Sequence, residues 1–324
     1  MKKALFTVAA TIMAAVAISC GSNESTTGIS KGSLNKMDSL SYVYGISMGH
    51  QLAAGIVKEL ELDFDKLLET MEKTALGKED VVGNDTINEA NMPRLYQKVF
   101  GRARQMQIQA AKSDSTGNTK LYDSEELREL TSAFVGADAG LGLARMGANI
   151  PLQLVWIEKG LKEAFEEKAP MTGIEAQNYI RNYFTVKIPA ENKKASEAWL
   201  AEVEKESGVQ KTASGLLYKV TEPGDMSAKP TSLEDVVKVH YRGTTRTGKE
   251  FDSSYKRNAP IDFPLNGVIK GWGEGLQLVG KGGKITLWIP AELAYGTRGA
   301  GSDIGPNEAL RFDVELLDVN PQGE

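Results

Sequence analysis

The chain has 324 residues, 41% of them hydrophobic and 25% charged, which suits about two domains with ordinary cores and excludes disorder throughout. A formal net charge of −5 argues against nucleic acid as a partner, because phosphate binding needs a basic excess on at least one face. The basic stretch "GRARQ" at 101–105 has acids nearby and no aromatic stacking groove, so it reads as a solvated helix face.

The first element is a leader. "MKKALFTVAATIMAAVAISC" carries Lys2 and Lys3, then an uncharged apolar run from Ala4 to Ile18 that is short for a bilayer span. Residues 1–19 therefore read as a secretory signal peptide. The single cysteine, Cys20, closes it in "AISCGS", which resembles a bacterial lipobox, so cleavage and lipidation at Cys20 are expected. Gly21 is compatible with outer-membrane sorting of such lipoproteins. The mature chain has no disulfide to rely on. Residues 20–36 form a polar, Gly/Ser-rich tether.

Residues 37 to about 206 read as helical. Leu40, Tyr44, Met48 and Leu52 recur at four-residue spacing on one helix face, and Asp38 or Ser39 can cap its start. A second helix is marked by Phe64, Leu67, Leu68 and Met71, and a third by Leu95, Tyr96, Val99, Phe100 and Met106. "KSDSTGNTK" then breaks the pattern, giving copy 1 at 37–111 and a linker at 112–124.

The pattern then repeats. "SYVYGISMGHQL" (41–52) and "SAFVGADAGLGL" (132–143) share an apolar-aromatic pair followed by Gly-x-x-x-Gly, so Gly45 and Gly49 correspond to Gly136 and Gly140. Leu67, Met71 and Ala75 line up with Ile157, Leu161 and Phe165, and "RLYQKVF" is echoed by "QNYIRNYF". An internal duplication accounts for this, with copy 2 and a connecting helix at 125–206. Glycines four apart let another backbone approach closely, at about 1 kcal/mol of helix propensity each.

Pro189 can start the connecting helix, Trp199 and Val203 mark its buried side, and Gly208 suits its end. Beyond it the period becomes alternating. "GLLYKVTEPG", "DVVKVHYRGTT", "KITLWIPAELAYG" and "ALRFDVELLDV" are strands separated by turn residues, so a second domain occupies 207–320.

That domain holds no Ser–His–Asp or Cys–His set. His50 and His240 are the only histidines in the chain, and His240 alternates away from Tyr241 on its strand. "GKGGK" (280–284) lacks the span of a phosphate loop and reads as a turn. What the domain does carry is "VHYRG", "GKEFDSSY", "PIDFPLNGVIKGWGEGL", "IPAELAYG" and "LRFDVELLDV", in that order. By these motifs it resembles the FKBP-type peptidyl-prolyl cis–trans isomerases, the immunophilins that bind macrolides such as rapamycin.

The resemblance implies an α+β fold, a curved antiparallel sheet around a short helix starting near Gly271–Trp272. It places Trp272 at the floor of a pocket and Tyr241, Phe251, Phe263 and Phe312 as its walls. Val268 and Ile269 match the rim, Asp252 and Tyr295 the polar contacts, and Ile304 an apolar contact from the loop before the last strand. Ile261 and Ala300 depart from the best-known members, and the loop "GTRGAGSDIGPNEA" is more polar than theirs. These departures bear on substrate preference and macrolide affinity.

The chemistry expected of that pocket needs no cofactor. An X–Pro bond rotates over a barrier of about 18–20 kcal/mol set by amide resonance. The twisted state loses charge separation, so a dry aromatic bowl with a few dipoles favours it without nucleophile, base or metal.

The helical part is similar to the dimerisation segment of secreted bacterial FKBPs of the macrophage-infectivity-potentiator type. The resemblance implies a lipid-anchored cell-envelope protein, in the outer membrane and facing the periplasm or the surface, acting on proline-containing unfolded or nascent exported polypeptides. A client-holding chaperone with minor turnover is the alternative. The extra helical copy leaves two assemblies open: a homodimer, or an internal pseudo-dimer of the two copies.

Overall fold

The structure is a computed structural model that describes residues 29–34, 38–52, 57, 60–101, 122, 124–147 and 150–321. The leader, Cys20, most of the tether and most of the 112–124 linker lie outside the described residues. Among the described residues no helix is long and apolar enough to cross a membrane. The chain divides into two compact units, residues 1–181 and 182–324.

The first unit begins with strand β1 (Ile29–Ser30) and helix α1 (Ser39–Gln51). Asp38 caps α1 by accepting the Ser41 N–H at 2.9 Å, and Asp63 caps α2 (Phe64–Ala75) by accepting the Lys66 N–H at 3.0 Å. After a hairpin of β2 (Asp80–Val82) and β3 (Asp85–Ile87) comes a helix over 92–101. The second copy supplies α3 (Glu125–Gly147), β4 (Leu152–Gln153), α4 (Leu154–Phe165) and α5 (Gly173–Asn182). β4 pairs in parallel with β1.

The two copies pack crosswise: α1 of the first lies on α4 of the second, and α2 of the first on α3 of the second. Glycine makes both approaches possible. A Cβ on Gly45 would sit 2.0 Å from the Ile157 carbonyl oxygen, and one on Gly136 would sit 2.1 Å from that of Leu67. One turn on, Gly49 faces the Leu161 carbonyl and Gly140 that of Met71 at 2.5 and 2.4 Å. Two buried serines repeat the symmetry. Ser41 Oγ accepts the Gln153 N–H at 2.9 Å, and Ser132 Oγ accepts the Asp63 N–H at 2.8 Å. Phe64 and Phe165 stack across the copies at 4.1 Å.

The hairpin at 80–87 departs from the helical reading of 37–206. Its sequence is "DVVGNDTI", and Gly83 (φ +55°) opens the tight turn between the strands. The hairpin is pinned by buried carboxylates. Asp80 meets Lys73 at 2.7 Å and Lys66 at 3.0 Å and accepts from Thr70, while Asp85 meets Arg94 at 3.1 Å and also Lys98.

The second unit opens with a π turn (Tyr183–Lys187) followed by α6 (Ile188–Val203), with Pro189 in its first turn. Lys187 and Ile188 before it are themselves helical, so Pro189, which has no N–H, lies within a helical run directly after the π turn. The strands are β5 (Gln210–Lys211), β6 (Leu217–Glu222), β7 (Val236–Thr245), β8 (Glu250–Ser253), β9 (Ile261–Pro264), β10 (Lys284–Ile289) and β11 (Leu310–Val319). They form one antiparallel sheet in the order β5-β6-β10-β11-β7-β8, with β9 also on β7.

Alternation along β10 sends Ile285, Leu287 and Ile289 to one face and Trp288 to the other. Helix α7 (Lys270–Gly275) covers the first face, where Gly271 and Gly275 let it settle on Ile289 and Leu287. Val203, with Trp199 and Leu200 of α6, packs on Trp288 and Leu217 from the other side. The helix read from sequence as part of copy 2 thus packs with the sheet, and the second unit begins at Asn182 instead of near 207.

Candidate active site

Strand β7 carries Val237, Val239 and Tyr241 into the core, and Gly243 continues that face. A Cβ on Gly243 would meet Phe251 and Phe312 at 2.7 Å, so glycine here makes room for rings. Phe312 stands opposite Gly243 on β11. Phe251 and Phe312 meet edge to face at 5.6 Å and 83° in that space.

Trp272 of α7 is the centre. Tyr241, Phe312 and Phe263 surround it at centroid distances of 5.1, 5.2 and 5.8 Å, each nearly perpendicular to the indole. Such edge-to-face pairs match positive ring edges to negative faces, each contributing about 0.5–1.5 kcal/mol beyond burial. Trp272, Tyr241 and Phe312 are each 4% exposed. Phe251, Phe263, Val268 and Ile269 are only half-buried against them and form the open side. Ile269 caps α7 in an extended conformation, its carbonyl accepting the Trp272 N–H at 2.9 Å. The Trp272 Nε1–H is buried without a hydrogen-bond acceptor.

A bulge explains how two neighbours on one strand serve one site. Gly243 pairs with Asp252 and Thr244 with Glu250, leaving Phe251 as the extra residue. The bulge re-aims Phe251 toward Phe312 while Asp252 still reaches Tyr241. The Tyr241 hydroxyl donates to the Asp252 carboxylate and accepts from Arg257 at 2.8 Å, and Arg257 also donates to Asp252.

The electrostatics follow. Burial, and then the hydrogen bond to Asp252, push the Tyr241 hydroxyl up to about 12. Burial alone would raise the Asp252 carboxyl, but hydrogen bonds from Tyr241 and Arg257 outweigh it and hold it below the usual carboxylate range. Tyr295 is 39% exposed. Its hydroxyl is raised by burial and further by the charge of Asp252.

Of the pocket residues that the resemblance implies, Tyr241, Trp272, Ile304 and Phe312 lie in this cluster, Phe251, Phe263, Val268 and Ile269 pack against it, and Asp252 is bonded to Tyr241. Ile304 is 6% exposed within it and forms an isolated bridge with Ala300. Ile261, opposite Val239, and Ala300 line it as half-buried neighbours. His240 faces the other way, stacked on Tyr255 at 4.7 Å and bonded to Ser254 Oγ at 3.0 Å. Arg257 was not singled out. The turn after "FDSS", closed by Asn258 at φ +52°, returns the guanidinium to the Tyr241 ring at 5.7 Å. A cation five residues after Asp252 was the available signal.

Both parts of the chain are similar to known proteins. The family model described as FKBP-type peptidyl-prolyl cis-trans isomerase matches residues 227–317. A second, the domain amino terminal to FKBP-type peptidyl-prolyl isomerase, matches residues 128–220, beginning within the second helical copy. The FKBP-type peptidyl-prolyl cis-trans isomerase FkpA of Aeromonas hydrophila is 41% identical over 203 residues, covering 57% of this chain and 75% of that protein. The FKBP-type 22 kDa peptidyl-prolyl cis-trans isomerase of Escherichia coli is 37% identical over 210 residues, covering 62% of this chain and 98% of that protein. The crystal structure of FkpA from Escherichia coli aligns at 41% identity with a TM-score of 0.43, covering 50% of this chain and 80% of that one.

Proposed function

Because this chain belongs to the FKBP-type peptidyl-prolyl cis–trans isomerases, we propose that the cluster around Trp272 is where it turns X–Pro bonds. The enzyme acts on proline-containing polypeptides. The observation that carries the site assignment is three aromatic rings set edge-on around one indole, beside a carboxylate that accepts hydrogen bonds from Tyr241 and Arg257.

In this reading the prolyl ring lies on Trp272 between Phe251, Phe263 and Phe312, which exclude water. The amide leaves its plane most easily there, because the twisted state is less charge-separated than the planar one. Val268 and Ile269 hold the flanking backbone at the rim, and Asp252 and Tyr295 orient it. Arg257 keeps Tyr241 and Asp252 in place from behind. A protease-coupled proline-peptide assay on the mature chain tests this. Phe251→Ala and Asp252→Ala should each lower turnover, and full turnover in both would overturn the site. A macrolide that competes with peptide would occupy the same bowl.

Two further parts of the reading concern the rest of the chain. The glycine contacts favour an internal pseudo-dimer, in which α1 and α2 occupy faces of copy 2 that a second chain would otherwise fill. The helical unit then holds unfolded clients, so Phe251→Ala should still suppress aggregation. Cys20 carries the lipid anchor that fixes the protein in the cell envelope, in the outer membrane, where exported polypeptides are the clients. Cys20→Ala should move it to the soluble envelope fraction.

A further inference from the structure

Asn192 and Ser196 lie four residues apart on α6, on the face that continues through Trp199, Leu200 and Val203. The later three are apolar and rest on the sheet. Ser196 is a hydroxyl, yet it is only 4% exposed. A polar group buried there must be bonded, since leaving it unpaired is costly.

Its partners are all on one short stretch of chain. Ser196 Oγ donates to the Asn307 carbonyl at 3.0 Å and accepts the Ala309 N–H at 2.9 Å. One turn earlier, Asn192 Nδ2 donates to the Pro306 carbonyl at 3.0 Å, and Asn307 Nδ2 donates back to the Pro189 carbonyl at 3.2 Å. Gly305 fits because a Cβ there would sit 2.7 Å from Asn192 Nδ2. Strand β11 starts only at Leu310, and Pro306 has no N–H. Side chains of α6 therefore supply the bonds that a strand ladder cannot provide to 305–309.

That stretch is the returning limb of the loop that carries Ile304. Ile304 and Ala300 exchange backbone hydrogen bonds of 3.1 and 2.9 Å, and the Asn307 N–H donates to the Gly296 carbonyl at 2.8 Å, next to Tyr295. Moving 305–309 moves the foot of both limbs. Ile304 packs in the same cluster as Tyr241, Trp272 and Phe312.

We propose that Ser196, assisted by Asn192, is a positioning residue of the isomerase. It ties the connecting helix to the 296–309 loop and so sets where Ile304 stands over the bound peptide. The inference rests on the site assignment above. The connecting helix is then part of the substrate-reading apparatus and not only a spacer.

The test uses the full mature chain and a series of proline peptides that differ in the residue before proline. Ser196→Ala and Asn192→Ala should each lower kcat/KM by about 3–10-fold, unequally across the series and mainly through KM. Ser196→Thr, which keeps the hydroxyl, should restore the parent order of preference. Val203→Ala loosens the same helix at Trp288, and should lower the unfolding temperature while leaving the order of preference alone. An active parent whose preferences survive both Ser196→Ala and Asn192→Ala overturns the positioning role. So does a Val203→Ala variant that shifts preferences equally. A parent with no isomerisation would overturn the site assignment as well, so the two failures are told apart by the parent alone.

Discussion

Gly45 and Gly136 perform the same task from opposite copies: each admits the carbonyl of a residue on the other copy, Ile157 in one case and Leu67 in the other. The corresponding residues of a repeated sequence are thus used reciprocally, as they would be across a twofold axis. Ser41 and Ser132 extend the relation to hydrogen bonds.

Adding a methyl group at either glycine should break the module. Gly45→Ala or Gly136→Ala puts carbon about 2 Å from a backbone oxygen, and overpacking of this kind costs about 1–3 kcal/mol when side chains can yield. Backbone yields less, so a loss at the upper end or beyond is expected. Helical ellipticity during urea unfolding measures it, and the two variants should lose similar amounts.

Light scattering on the mature chain, freed of its lipid, should give the mass of one chain at all concentrations tested. A dimer mass would mean that the crosswise faces also pair between chains.

Isomerase activity should be flat across neutral pH. Burial and the hydrogen bond to Asp252 push the Tyr241 hydroxyl up to about 12, and hydrogen bonds from Tyr241 and Arg257 hold the Asp252 carboxyl below the usual carboxylate range. Between about pH 5 and 9 neither changes charge. Activity should fall only in acid, as Asp252 is protonated. A bell-shaped profile centred near neutrality would mean that a proton transfer takes part.

The helical unit should lose stability in acid through Asp80. Burial alone would raise its carboxyl, but hydrogen bonds from Lys73, Thr70 and Lys66 prevail and hold it well below the ordinary range. A depressed folded value means stability that is present above the unfolded value of about 3.9 and lost as pH falls below it. Asp80→Asn should therefore be less stable than the parent at pH 7, and the gap should narrow toward pH 2. Chemical denaturation at several pH values checks both statements.

Phe251→Ala should separate activity from stability. The ring is only half-buried, so truncation should cost less than the about 3–5 kcal/mol of a fully buried phenylalanine. Turnover should drop by an order of magnitude or more, since a wall of the bowl is gone. Calorimetry and the peptide assay on one preparation compare the two.

The aromatic cluster of the candidate site was legible through the resemblance, because Tyr241, Phe251, Phe263, Trp272 and Phe312 sit in the ordered motifs that carry it. Arg257 was not, since its reach back to Tyr241 depends on a turn with positive φ at Asn258. Periodicity does not report such a return. The hairpin at 80–87 was hidden between two amphipathic helices, although Gly83 and Asn84 between alternating residues were the turn signal. The allegiance of α6 was also illegible. Helical period ends near Val203 and strands begin after it, but the partner of a helix is decided by side chains such as Ser196 and Trp199. The glycine repeat foretold close backbone approach, while which copy each glycine faces required the fold.

The hairpin of β2 and β3 has no counterpart among the described elements of copy 2. Two identical subunits must carry every insertion twice, in places related by the twofold axis, so each change is tested on both sides at once. Joining the halves in one polypeptide lifts that constraint. One flank can gain Asp80 and its lysine partners while the other stays bare, and a symmetric ancestor can acquire a front and a back.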